Sequence, residues 1–299
     1  MLGRLALIAA CTAPLLLGGG ETASAQALDK LRVPLERRIA KHRGTVGLYV
    51  KDLSTGETLS IGGNDPFPSA SVIKVPVLVE LFAQIERGPL KLTDPLVLLA
   101  ADQRPGSGVL QFLSTPHNLT VADAATLMII LSDNSATNLI IDKVGIRNVN
   151  ARMDSLGLEQ TRLHAKVFLG SSTTIDTAAT RQWGLGVTTP AEMGTLFEKL
   201  YRGTVVSDTA SKQMLGLLRR NFDYEEIPRL LPPGIAVAHK TGKLDASRSD
   251  CGIVYNSGRD YVLCIFTKDN VDRSWRVDTE ARVTLGELAR LVHEGLNPK

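Results

Sequence analysis

The period of the apolar pattern changes twice along the chain, and this order of segments constrains the fold more than any other feature. Strand-like runs occupy residues 45–50 and 59–61 near the start and 236–240, 251–255 and 261–267 near the end. In such runs successive side chains alternate between faces of a sheet. From Ser71 to about Arg220 the spacing is helical instead, over residues 72–86, 121–144, 149–156, 190–201 and 207–220, with Gly-, Pro-, Ser- and Thr-rich loops between. Helical patterns at 28–42 and 278–294 flank the strands. A sheet must therefore be assembled from both ends of the chain around a helical insertion. The expected organisation is α/β, with an α/β subdomain from residues 26–66 and 224–299 and a helical subdomain at 67–223.

Composition excludes several functions. The chain has 299 residues, 43% apolar and 22% charged, which is ordinary for a globular protein. A net charge of +3 without a Lys/Arg run, and with few aromatic residues, argues against a nucleic-acid partner. Residues 1–25 read as a signal peptide: Arg4, an apolar stretch from Leu5 to Leu17, and Ala23-Ser24-Ala25 before Gln26. Ile8-Ala9-Ala10-Cys11 resembles a lipoprotein box, but the apolar run before Cys11 is short. Beyond Gln26 no run approaches the roughly 20 apolar residues that span a bilayer, so a secreted or periplasmic protein without a transmembrane segment is expected. After processing, Cys251 and Cys264 remain, and the five histidines form no HExxH pattern, so neither a metal nor another cofactor is expected. The two cysteines lie symmetrically about Ser257-Gly258, which leaves a cross-strand disulfide and two buried thiols equally open.

Three short motifs carry chemistry. In Pro68-Ser69-Ala70-Ser71-Val72-Ile73-Lys74, a serine at a helix start precedes a lysine by three residues, one turn up on the same face. A buried lysine with weakened proton affinity can act as base to that hydroxyl. Ser132-Asp133-Asn134 follows the apolar run 127–131, and by itself reads as a helix cap. Lys240-Thr241-Gly242 ends a strand, and by itself reads as a strand edge with a turn glycine.

In this order, with gaps of about 60 and about 110 residues, the motifs resemble those of the class A β-lactamases and other penicillin-recognising enzymes. The resemblance runs from about Leu28 to the C-terminus. It implies a β-lactamase/transpeptidase-like fold, in which an antiparallel sheet is flanked by helices and carries an all-helical insertion. It further implies Ser71 as nucleophile, Lys74 as its base and Ser132 as proton relay to the leaving nitrogen. Asn134 would bind the substrate's side-chain amide, and Lys240 and Thr241 its carboxylate. Backbone N–H groups of Ser71 and Lys243, the residue after Gly242, would form the oxyanion hole. Arg248 stands about where some members keep a second carboxylate anchor, in a loop one residue shorter than expected.

The pattern breaks at one catalytic position. Efficient class A enzymes carry a glutamate that activates the deacylating water, in a loop after a Thr-Arg-Leu-like stretch. Here Thr161-Arg162-Leu163 is followed by His164-Ala165-Lys166-Val167-Phe168, and Val167 holds the glutamate's place. An alkyl group cannot deprotonate water. The nearest acids in sequence are Glu159 and Asp176, and Lys166 is adjacent. The segment Arg104-Pro105-Gly106-Ser107-Gly108-Val109-Leu110 also resembles class A-like relatives, among them penicillin-binding D-Ala peptidases, more than typical β-lactamases. Two enzymatic readings follow: a serine hydrolase opening β-lactam rings, and a D-alanyl-D-alanine carboxypeptidase acting on peptidoglycan stem peptides. A monomer is expected. A non-catalytic sensor of the same ligands would have no need of nucleophile and relay together.

Overall fold

The computed structural model describes residues 28–297; the expected signal peptide and lipoprotein box lie outside them. In chain order the α-helices are α1 (Arg32–Ile39), α2 (Lys74–Arg87), α3 (Val121–Ile130), α4 (Asn134–Val144), α5 (Ile146–Ser155), α6 (Gly170–Thr173), α7 (Thr177–Trp183), α8 (Pro190–Tyr201), α9 (Asp208–Leu218) and α10 (Glu280–Leu296). The strands are β1 (Thr45–Asp52), β2 (Thr58–Ile61), β3 (Phe67–Pro68), β4 (Pro95–Leu98), β5 (His117–Thr120), β6 (Arg162–Leu163), β7 (Gly186–Thr188), β8 (Ala236–Leu244), β9 (Ser247–Tyr255) and β10 (Tyr261–Lys268).

Five strands form an antiparallel sheet in the order β2-β1-β10-β9-β8, so the N-terminal hairpin pairs with the C-terminal meander. Both faces of this sheet are covered, and strand alternation sorts the side chains between them. On β10, Tyr261, Leu263 and Ile265 pack with Leu28, Leu35, Leu285, Leu288 and Val292 from the terminal helical segments. Val262, Cys264 and Phe266 point the other way, into the core shared with α2, α8 and the rest of the helical insertion.

Helix α2 is buried from Lys74 through Gln84, and its sequence is apolar nearly all round, as a helix enclosed by others requires. Pro76 sits in the first turn, where its missing N–H costs nothing, and Gly88 ends the helix with φ 92°. Two small sheets, β4-β5 and β3-β7-β6, were not evident in the periodicity because their strands have only two to four residues. The expected helix over 121–144 is two helices, interrupted at Leu131–Asp133 by Ser132 with φ 55°.

The hairpin β9-β10 turns at Ser257-Gly258, placing Cys251 directly opposite Cys264. The two are joined as a disulfide, with Cα atoms 4.0 Å apart, and both are fully buried. Denatured, unreduced protein comprising residues 28–297 is therefore expected to titrate with no free thiol, and two free thiols would refute the bridge.

Candidate active site

Three elements converge on Ser71. The first is its own turn. Ser69 N–H is held at 2.9 Å by the Gly186 carbonyl of β7, and Ala70 follows with φ 43°, a conformation that costs a non-glycine residue about 1–3 kcal/mol. A 3₁₀ turn, Ala70–Ile73, then leads into α2 at Lys74. The strain presents Ser71, half-buried, to a cleft, and its Oγ has no hydrogen-bond partner among the described residues.

Strand β8 is the second element. A Cβ on Gly242 would lie 2.8 Å from the Ser69 carbonyl oxygen and 3.1 Å from Ala70 Cβ. Only glycine lets the strand approach this closely, and the approach brings the backbone of Gly242 and Lys243 against the Ser71 turn.

The third element is the break between α3 and α4. Asp133 caps α4 by accepting from Ala136 N–H at 2.9 Å, a contact typically worth about 1 kcal/mol. Its other carboxylate oxygen accepts from Val109 and Leu110 N–H at 2.7 and 2.9 Å. Gly108, with φ 101°, permits this contact, since a Cβ there would collide with the Asp133 carboxylate. The loop 104–110 is thereby fastened to the motif, and Asn134 donates to the Pro105 carbonyl at 2.8 Å. This anchoring by Asp133 was missed in the sequence; the glycines of the loop were its only signal.

Lys74 joins these elements. Its Nζ donates to the Ser132 carbonyl at 2.6 Å, to Ser132 Oγ at 3.0 Å and to Asn134 Oδ1 at 3.1 Å. The side chain is fully buried, and that burial, reinforced by the Lys240 charge and opposed by Asp133, holds the ammonium well below the usual lysine range. A neutral amine is thereby made accessible one turn above a free serine hydroxyl, with a second hydroxyl in contact with it. The arrangement joins Lys74 to Ser132 directly, with Ser71 one turn away on the same cleft.

Two cavities open on Ser71. One of about 350 Å³ is lined by Ser132, Asp223, Thr241 and Lys243, and one of about 590 Å³ by Asn134, Val167, Phe168 and Trp275. Val167 is clamped through its backbone: its N–H donates to Asn138 Oδ1 at 2.8 Å and its carbonyl accepts from Asn138 Nδ2 at 3.0 Å. The alkyl side chain belongs to the wall of the cavity that contains Ser71. The other candidate bases are engaged elsewhere or exposed. Lys166 Nζ pairs with Asp142 at 2.7 Å, Asp176 caps α7 through Ala179 N–H, and Glu159 is exposed.

Lys240 is buried, donates to the Thr241 carbonyl at 3.0 Å, and is brought down to about 8, mainly by burial. Thr241 and Lys243 face the cleft, but both already hold Asp223. Arg248 does not join the group. Its guanidinium donates to the carbonyls of Leu244, Ser247 and Ser274 and lies 4.5 Å from the Trp275 ring centre, which makes it a buried strut. Asp223, Glu225 and Glu226 bring three carboxylates close together. Lys243 Nζ lies 2.6 to 3.4 Å from all three and supplies the positive charge among them.

Residues 30–296 match a family model described as the β-lactamase enzyme family. The chain is 26% identical over 261 residues to the carbapenem-hydrolysing β-lactamase KPC of Klebsiella oxytoca, covering 85% of this chain and 84% of that protein. A β-lactamase from Sphaerobacter thermophilus superposes with TM-score 0.79 at 29% identity, over 90% of this chain and 97% of that one. PBP-A superposes with TM-score 0.79 at 28% identity, over 89% and 96%, and a mutant of it has been solved as an acyl-enzyme complex with penicillin G.

Proposed function

The chain belongs to the β-lactamase enzyme family, and on that premise we propose that it opens β-lactam rings by forming an ester at Ser71. The observation that carries this reading is the buried Lys74 amine, bonded at once to Ser132 and Asn134 one turn from Ser71, whose hydroxyl has no partner among the described residues and opens on the same cleft as Ser132. Ser71 Oγ attacks the ring carbonyl while its proton passes to Lys74. The tetrahedral oxyanion is met by the Ser71 and Lys243 N–H groups, and collapse breaks the C–N bond as Ser132 delivers a proton to the ring nitrogen. Asn134 receives the acylamino group on the side of the larger cavity, where Phe168, Leu185 and Trp275 offer an apolar surface. Water then cleaves the ester, restoring Ser71. No cofactor enters any step.

Curated relatives are named for β-lactam hydrolysis, which favours ring opening over the D-alanyl-D-alanine carboxypeptidase reading. Export of a monomer after cleavage behind Ala25 is part of the same proposal; among the described residues no helix is long and apolar enough to cross a membrane. The test is intact-mass spectrometry after mixing with benzylpenicillin. An adduct of one intact penicillin on the peptide containing Ser71, absent from Ser71→Ala, is expected. An adduct persisting in that variant would refute the nucleophile.

A further inference from the structure

The cleft receives a carboxylate from its own chain. Asp223 lies between α9 and β8, in a segment held to the strand by Asn221 Nδ2, which donates to the His239 carbonyl at 3.1 Å. Asp223 Oδ2 accepts from Thr241 Oγ1 at 2.8 Å and lies 2.6 Å from Lys243 Nζ. These contacts are made inside the cavity that opens on Ser71 and Ser132. The Thr241 hydroxyl, which the family resemblance would offer to a substrate carboxylate, is thus already donated to an internal one.

Other positive charge nearby is similarly committed. Lys243 also faces Glu225 and Glu226, Arg282 pairs with Glu225 at 2.7 Å, and Arg248 is spent on backbone carbonyls. Lys240 and Arg248 make no ion pair among the described residues; Lys240 is fully buried and donates to the Thr241 carbonyl, and Arg248 is held by backbone carbonyls. A second carboxylate entering here would meet Asp223 across one hydroxyl, and like charges sharing a site repel strongly.

Resting on the proposed acylation of Ser71, we propose that Asp223 sets the charge preference of the cleft, favouring acyl donors that are neutral beside the scissile amide over those with a free carboxylate there. Asp223 is a specificity-determining residue in this account: it takes no proton from the reacting atoms. Displacing it would require breaking its contacts with both Thr241 and Lys243 before an acid could bind.

The experiment compares benzylpenicillin with its methyl ester, which differ only in this charge, by the second-order rate of adduct formation. Wild-type protein is expected to react with the ester at least as fast as with the acid. Asp223→Asn, which keeps the size and an acceptor for Thr241, is expected to raise the acid-to-ester ratio at least about tenfold. The ratio is taken within one sample, so partial unfolding lowers both rates and leaves it unmoved. An acid preference in the wild type, or a ratio unaffected by Asp223→Asn, overturns the inference while leaving the acylation reading intact. Failure of both compounds to acylate Ser71 overturns that reading and the inference with it.

Discussion

Replacing Lys74 by methionine is expected to slow acylation of Ser71 by roughly 10²–10⁴-fold, the usual worth of a positioned general base. Methionine approximates the length and burial of the lysine chain and removes only the amine. The three acceptors left behind, Ser132 O, Ser132 Oγ and Asn134 Oδ1, lose a donor, but the desolvation cost of the buried amine is removed as well, so the fold should survive. Near-wild-type acylation in a folded Lys74→Met protein would place the base elsewhere. The pH profile offers an independent reading. Lys74 must be neutral to accept the serine proton, and its lowered proton affinity puts that form within reach below the ordinary lysine range. Acylation therefore rises with pH through the Lys74 titration. Lys240 is brought down to about 8, mainly by burial, and loss of its charge leaves Asp223 less opposed, so an anionic substrate is disfavoured further above that pH. For benzylpenicillin the pH profile of the second-order acylation rate should be a bell with its basic limb near 8, and Lys74→Met should erase the acidic limb.

The second large effect concerns release of the acyl group. With Val167 in the cavity wall and no carboxylate lining that cavity among the described residues, penicillin should produce a burst of one ring opened per enzyme, followed by slow turnover. The deficit in deacylation should be about 10²–10⁴-fold and confined to that step. Among the acids that do line the cleft, Asp223 is held well below the usual carboxylate range by Lys243 and the Thr241 hydroxyl, although burial opposes this. Ionised and paired, it is a poor base. Glu225 is tied to Lys243 and Arg282. Because Asn138 grips the backbone of Val167 and not its side chain, Val167→Glu should leave the loop in place and recover part of the steady-state rate, with the burst nearly unchanged. Stopped-flow and mass measurements on the wild type decide the matter. Rapid steady hydrolysis without accumulating adduct would mean that another group activates the water.

The chain's order of strand, helix and strand patterns determined that one sheet is built from both termini, because period two and period 3.6 cannot be satisfied by the same element. Local spacing placed Ser71 one turn below Lys74, and symmetry about Ser257-Gly258 placed Cys251 opposite Cys264. These are short-range relations, which backbone geometry fixes without knowledge of distant contacts. Tertiary structure alone decided the rest. The break between α3 and α4 depends on Asp133 meeting amides some 23 residues away, and a period of apolar residues carries no trace of such a bond. The meeting of Lys74, Ser132 and Asn134 depends on α2 packing against α4. Arg248 is turned to backbone carbonyls and not to the cleft, because which of the two a guanidinium faces is settled by what surrounds it in the fold. The same holds for Asp223: nothing in its neighbours along the chain predicts that its carboxylate meets Thr241 and Lys243, since that contact exists only once β8 lies beside the segment leaving α9.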